Sequence, residues 1–302
     1  MSAKSFLLNN GKDIPAIGLG TWLSSDDEVQ VAVKTALQAG CRHIDAAFMY
    51  KNEVAVGKGI KESGVMREDI FVTTKLWCSY HSRIEEAIDL SLKNLGLDYV
   101  DLYLMHWPIA LNPNGSDPLI PVRSDGSRDI QKDWDFTKTW SLMESLIKSG
   151  KAKSIGVANF SIDNLEILLK SAKIQPAVNQ VERHPYLPQF KLDAYCKSRK
   201  IHQMSYSPLG GQGASLLDDP VIIPIAESNK VTSANVLINW NIQHEWSVIP
   251  KSVSLDRVIS NLEIVKLNSV DMEILDNLHK TKTKRLVNPA WGVTVFHEDE
   301  IL

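Results

Sequence analysis

Cysteine is scarce in this chain: Cys41, Cys78 and Cys196 are the only three among 302 residues. They are too few and too dispersed for a disulfide framework or a zinc motif, so they read as ordinary reduced thiols in a reducing compartment. No apolar run approaches the ~20 residues of a membrane span, and the apolar stretch before Gly11 is too short for a signal peptide. The expectation is a cytoplasmic protein without a membrane partner. A formal net charge of -3 lacks the basic excess that nucleic acid or an anionic membrane attracts, so any anion site must be local. The dinucleotide fingerprint G-x-G-x-x-G is also missing, because Gly18-Leu19-Gly20 continues as Thr21-Trp22-Leu23. There is no His and carboxylate cluster at metal-ligand spacing, hence no expected metal, and no G-x-S-x-G nucleophile elbow.

What is present is a regular alternation. Hydrophobic residues make up 44% and charged residues 23%, as in a soluble globular protein. Asn10-Gly11 between short apolar stretches predicts a type I′ hairpin able to cap one end of the fold. Strand-like runs follow at 16–21, 43–47, 71–77, 100–107, 154–160, 177–183, 202–209 and 247–253. Amphipathic helical runs alternate with them at 26–40, 52–64, 82–96, 135–150, 161–172, 191–200, 220–243 and 254–265, with a further one at 269–280. Such alternation implies parallel pairing and closes most naturally as an α/β (β/α)8 barrel, here one domain over residues 1–302. Ile84, Ile88, Leu92 and Leu95 mark the core face of one outer helix. Two segments lack regular structure. Residues 108–134 follow the fourth strand and residues 285–302 form an aromatic tail with Trp291 and Phe296, so both are expected over the catalytic rim.

Seven polar residues, Asp45, Lys75, His106, Asn159, Gln180, Tyr206 and Lys251, fall at or near the C-terminal ends of predicted strands, with Tyr50 just beyond the second strand. That rim carries the chemistry of such barrels. Period-two alternation places apolar residues beneath them: Leu102 and Leu104 below His106, Ile155 and Val157 below Asn159, Val178 below Gln180, Met204 below Tyr206, and Ile249 below Lys251. A lysine ammonium near a tyrosine favours the phenolate and lowers its pKa, and a carboxylate such as Asp45 would aim that lysine. Tyr50 is then a tunable proton donor, with His106 able to orient a carbonyl oxygen or relay its proton. Donation to an oxygen needs a partner that delivers hydride, and a nicotinamide cofactor is the economical one. Lys251, Ser252, Val253 and Arg257 cluster after the last strand at a helix start, suiting a 2′-phosphate and hence NADPH.

Gly40-Cys41-Arg42-His43-Ile44-Asp45-Ala46-Ala47-Phe48-Met49-Tyr50-Lys51-Asn52-Glu53, Thr74-Lys75-Leu76-Trp77 and Leu102-Tyr103-Leu104-Met105-His106-Trp107-Pro108 resemble the aldo-keto reductase superfamily. Gly156-Val157-Ala158-Asn159-Phe160, Asn179-Gln180-Val181-Glu182-Arg183-His184-Pro185, Tyr206-Ser207-Pro208-Leu209-Gly210 and Ile249-Pro250-Lys251-Ser252 continue the match in order and spacing. The pattern is most similar to fungal NADP-dependent glycerol dehydrogenases and broad-range carbonyl reductases. The resemblance implies NADPH-dependent reduction of aldehydes and ketones to alcohols, with Tyr50 as general acid, Asp45 and Lys75 tuning it, and His106 orienting substrate. It implies that Asn159 and Gln180 bond the nicotinamide amide, that Tyr206 stacks on the ring, and that Ala234 and Asn261 lie near the adenine. Gly20, Thr21, Ser207 and Leu209 complete the implied cofactor set. Val253 and Ser260 depart from residues common in relatives, which bears on how strictly NADP is preferred.

Trp22, Met49, Trp77, Trp107 and Trp291 are expected to line the substrate mouth, and no charged residue is evident there, which disfavours obligate sugar-phosphate or carboxylate substrates. The expected partner is a small carbonyl or alcohol, on a monomer or weak dimer. Two other readings stand beside this one: a Schiff-base aldolase using Lys75, and a non-catalytic binding or structural protein on the same scaffold.

Overall fold

The computed structural model describes residues 4–211 and 214–296. Eight parallel strands run in sequence order around one sheet: β1 (Leu19–Gly20), β2 (His43–Asp45), β3 (Phe71–Leu76), β4 (Leu102–Met105), β5 (Ile155–Ala158), β6 (Val178–Glu182), β7 (His202–Tyr206) and β8 (Ser247–Val248). The sheet closes on itself where β1 meets β8, through the parallel bridges Ile17↔Val248 and Gly20↔Lys251. Gly20 is required at that seam, since a Cβ there would stand 3.0 Å from the Ile249 carbonyl oxygen. The result is the expected (β/α)8 barrel.

Among the described residues, ten helices flank the strands: α1 (Asp26–Gln38), α2 (Glu53–Ser63), α3 (Ile84–Leu95), α4 (Phe136–Ser149), α5 (Ile162–Leu169), α6 (Phe190–Ser198), α7 (Ile222–Asn229), α8 (Ser233–Gln243), α9 (Leu255–Ser260) and α10 (Ser269–Asn277). In α3 the stripe Ile84, Ile88, Leu92 and Leu95 is buried against the barrel, as its spacing predicts. The helix stops at Gly96, whose φ of 65° suits a residue without Cβ. The run at 220–243 divides into α7 and α8, because Lys230 takes a left-handed backbone and Thr232 caps a new helix. The run at 254–265 is helical only through Ser260.

The N-terminal hairpin pairs Ser5–Leu7 with Asp13–Pro15 and seals the barrel floor, with Leu8 and Ile14 packed among Phe71, Leu102, Leu104 and Val178. Its turn is not type I′. Only Gly11 has positive φ (78°), and the Leu8–Lys12 pairing makes it a three-residue loop with a left-handed glycine at its end.

Alternation holds along the strands, but on β5 its phase is opposite to the one expected. Ile155 and Val157 face the outer helices, whereas Gly156 and Ala158 face the interior, where a Cβ on Gly156 would meet Leu104 at 2.8 Å. Asn159 nonetheless reaches the mouth because its backbone is left-handed (φ 62°), which reverses the alternation at the strand's end. Asparagine is among the few side chains that tolerate this conformation.

Candidate active site

The carboxylate of Asp45, at the end of β2, lies 2.5 Å from the ammonium of Lys75 on β3, with both side chains sealed from solvent. Lys75 also donates to the Ala46 carbonyl at 2.9 Å and to the Tyr50 hydroxyl at 3.4 Å. The second Asp45 oxygen accepts from Gln180 Nε2 on β6 at 2.7 Å. Four groups from three strands and one loop are thereby joined into one network. Burial pushes the Asp45 carboxyl up and the Lys75 ammonium down, and their mutual attraction opposes both shifts.

Tyr50 sits half-buried in the turn Phe48–Tyr50 that follows β2. The expectation that Lys75 lowers its pKa is overturned. Burial pushes the phenol well above its usual range, and the Asp45 carboxylate adds to that shift. The reason is geometric: the lysine charge is compensated at 2.5 Å by Asp45, while the phenol stands farther off at 3.4 Å. Tyr50 therefore keeps its proton at neutral pH. Because Lys75 is the donor in their contact, the phenolic hydrogen is left for an acceptor in the cavity.

His106 follows β4, edge-on to the Tyr50 ring at 5.8 Å and to Trp77 at 5.3 Å. Burial, then the charge of Lys75, pushes its imidazole well below the usual range. A neutral imidazole can orient an oxygen through one N–H but is no proton reservoir at neutral pH. Asn159 donates to the His106 carbonyl at 2.9 Å and accepts from the Tyr206 hydroxyl at 2.7 Å, so three strand ends are laced together. Lys75 has no exposed surface, which removes the access that imine formation requires.

These groups open on a cavity of about 550 Å³. Of the residues singled out in the sequence, Gly20, Thr21, Trp22, Asp45, Met49, Tyr50, Trp77, His106, Trp107, Asn159, Gln180, Tyr206, Ser207, Leu209, Lys251 and Trp291 line it. Lys75 lies behind the wall. Ser252, Val253, Arg257, Asn261 and Ala234 stand outside the cavity, past Lys251, on α9, its flanks and the start of α8. There Asn235 Nδ2 donates to the Ser260 carbonyl at 2.8 Å and holds the two helices together. Arg257 is exposed, and α9 is only six residues long, so the two cations outweigh the helix dipole as an attraction for an anion.

The long loop contributes Ile120 and Arg128 to the cavity, and the tail contributes Val287, Pro289 and Trp291. Trp291 packs on Trp107 at 5.2 Å and Trp77 at 6.2 Å. Residues 297–302 of the tail lie outside the described residues. Arg128 corrects the expectation of a mouth without charge. It was missed because a loop carries no periodicity from which to infer a facing direction.

A model of the family described as "Aldo/keto reductase family" matches residues 16–280. The chain is 52% identical to a glycerol 2-dehydrogenase (NADP(+)) of Saccharomyces cerevisiae, over 96% of each chain. It is 46% identical to a D-galacturonate reductase of Hypocrea jecorina, over 97% of each. Among solved structures, the aldose reductase from Schistosoma japonicum superposes with a TM-score of 0.88 at 37% identity, over 94% of each chain. The chain belongs to the aldo/keto reductase family and is an oxidoreductase of carbonyl groups and alcohols.

Proposed function

We propose that this protein reduces aldehydes and ketones to alcohols with NADPH, using Tyr50 as the proton donor. The observation that carries the reading is the buried chain Asp45–Lys75–Tyr50, with separations of 2.5 and 3.4 Å, ending at a protonated phenol that faces an aromatic cavity. NADP-dependence is in the name of the yeast relative, and the cations Lys251 and Arg257 near the cavity's edge suit a 2′-phosphate.

The donor set fits the cofactor. Gln180 Oε1 and the second amide hydrogen of Asn159 remain available for an amide, since the described contacts engage Gln180 Nε2, the Asn159 oxygen and one hydrogen of Asn159. Tyr206, tethered through its hydroxyl to Asn159, presents a ring face for stacking. Ser252, Val253 and Arg257 would hold the phosphate, and Asn261 and Ala234 would stand toward the adenine. When bound, NADPH supplies the hydride equivalent. The chain's own groups then orient the carbonyl oxygen through neutral His106 and give it the Tyr50 proton, in a cleft whose tryptophans exclude water.

The reading takes the protein as a monomer or weak dimer acting on a small carbonyl or alcohol. Among the described residues no helix is long and apolar enough to cross a membrane, and all three cysteines are buried free thiols, which supports a cytoplasmic setting. The relatives' names include a neutral polyol and a sugar acid as substrates of those proteins. A panel of aldehydes, ketones and polyols assayed with NADPH and NADH, followed at the reduced-nicotinamide absorbance band, tests the reading. Turnover with NADPH is expected, and its complete absence across the panel overturns it.

A further inference from the structure

Among the described residues Arg128 is the one arginine lining the cavity, and nothing there neutralises it. It lies in the loop between β4 and α4, held there by the bridges Val122↔Arg128 and Leu111↔Ile130. The loop is pinned by Asp129, which accepts from Asn112 Nδ2 at 2.8 Å and from Arg123 Nε at 3.3 Å. Arg123 thus has its carboxylate, whereas Arg128 forms no ion pair and no side-chain hydrogen bond among the described residues. Its guanidinium stands 6.0 Å from the Trp291 ring, at the outer limit of a cation–π contact.

The other ionised groups on this wall are engaged. Asp45 is held by Lys75 and Gln180, and Lys251 donates to the Leu23 carbonyl at 3.3 Å. A second donor beside Arg128 is also idle: Trp291 Nε1 is buried without an acceptor, while Trp77 Nε1 is satisfied by the Leu119 carbonyl at 2.6 Å. A half-buried guanidinium with no anion forgoes the charge-assisted bonds that its planar fork of donors is shaped to make.

We propose that Arg128 is a specificity-determining residue that recognises the carboxylate of acid-bearing aldehydes and ketones, the class to which sugar acids belong. This rests on the reductase reading and adds a substrate class to it. Trp77 and Trp291 intervene between His106 and Arg128, in ring-scale steps of 5.3, 6.2 and 6.0 Å. No contact joins Arg128 to His106 or Tyr50 among the described residues, which favours a carboxylate set apart from the reacting carbonyl. A rigid matched pair, 4-carboxybenzaldehyde and its methyl ester, isolates the charge while keeping the reacting group constant.

Arg128→Met should lower kcat/KM for the acid by roughly 10- to 100-fold, the scale of a hydrogen bond to a charged group, mainly through KM, while the ester changes by no more than about threefold. Arg128→Lys, which keeps the charge but not the fork, should recover only part of the loss. Terephthalate binding, followed by calorimetry on the wild type and both variants, provides a readout that needs no turnover and should weaken by a similar factor in Arg128→Met. Equal losses for acid and ester, or terephthalate affinity unchanged by Arg128→Met, overturn the assignment. Should the methionine variant not fold, full acid selectivity in a folded Arg128→Gln protein overturns it equally. Wild-type protein that oxidises NADPH with neither aldehyde refutes the reductase reading instead, and terephthalate binding still decides Arg128.

Discussion

The carboxylate of Glu182 on β6 accepts the backbone N–H of Leu286 at 2.7 Å, tying the tail to the barrel wall. Its other oxygen accepts from Val287 N, also at 2.7 Å, and His184 Nε2 lies 2.9 Å from the first. Burial pushes the Glu182 carboxyl up, but the His184 contact and the two backbone donors outweigh it and hold the group below its usual range, so it stays ionised. The strap so anchored continues directly into Pro289 and Trp291, which roof the cavity.

Glu182→Gln replaces one acceptor oxygen by a donor facing an N–H, so about 1–3 kcal/mol of tail anchoring is lost. We expect KM for bulky aromatic aldehydes and ketones to rise while small aldehydes, which need only Tyr50 and His106, change much less. Deleting the chain after Asn288 should act in the same direction without unfolding the barrel. Relative rates across such a panel that match the intact protein in both variants would remove the tail from the pocket.

Tyr50→Phe should reduce turnover by at least ~10² while NADPH affinity stays within a few-fold, since general acid catalysis contributes about 10² to 10⁴. Lys75→Met should be comparably damaging, because the Tyr50 hydroxyl would lose the donor that leaves its own hydrogen directed at the cavity. Here the structure adds a second expectation: the melting temperature should fall too, because Asp45 would be left as an uncompensated buried charge. Steady-state kinetics with calorimetry separates the two effects, and near-normal turnover in Tyr50→Phe would exclude that tyrosine as the donor.

Arg257→Ala should weaken NADPH binding by roughly 1.5 to 3 kcal/mol and leave NADH nearly untouched. Titration of both cofactors against the variant checks this. Equal losses would mean that the exposed Arg257 does not read the 2′-phosphate.

Stability should decline on acidification. Burial, before any other cause, pushes His43 and His81 from their usual range down to about 3. A depressed folded-state pKa means that the unfolded chain binds more protons between pH 6.5 and about 3, so stability is present above 6.5 and lost as pH falls through that window. The two groups together should cost about 2 to 3 kcal/mol at pH 5.5 relative to 7.5, as an upper estimate. Melting temperatures in matched buffers test the sign, and a midpoint that is flat or rises toward pH 5.5 would contradict it.

Much of the barrel is legible in the sequence because its signal is repetitive: an apolar run, a turn and an amphipathic stripe, eight times over. The polar rim is legible for the same reason, since a strand end fixes which side chain reaches the mouth. What escapes is whatever depends on a single backbone torsion or on a segment without period. The interior face of β5 is not legible because the left-handed turn at Asn159 is invisible to alternation, nor is the hairpin turn, because Asn-Gly also suits a longer loop. Arg128 could not be placed because loop geometry comes from distant contacts such as Asp129 with Asn112. The sequence showed Glu182 only as part of a motif, with no hint that its partners are amides about a hundred residues later.

The unequal burial of the cationic groups has a further consequence. Lys75 and Asp45 are shielded from solvent, whereas Lys251 and Arg257 stand in it. Mobile ions screen exposed charges over a Debye length that shrinks from about 10 Å at 0.1 M to 3 Å at 1 M, but they reach a buried pair hardly at all. Ionic strength should therefore divide the protein's work in two, loosening the grip on the cofactor's phosphate while the proton-donating network remains indifferent to it.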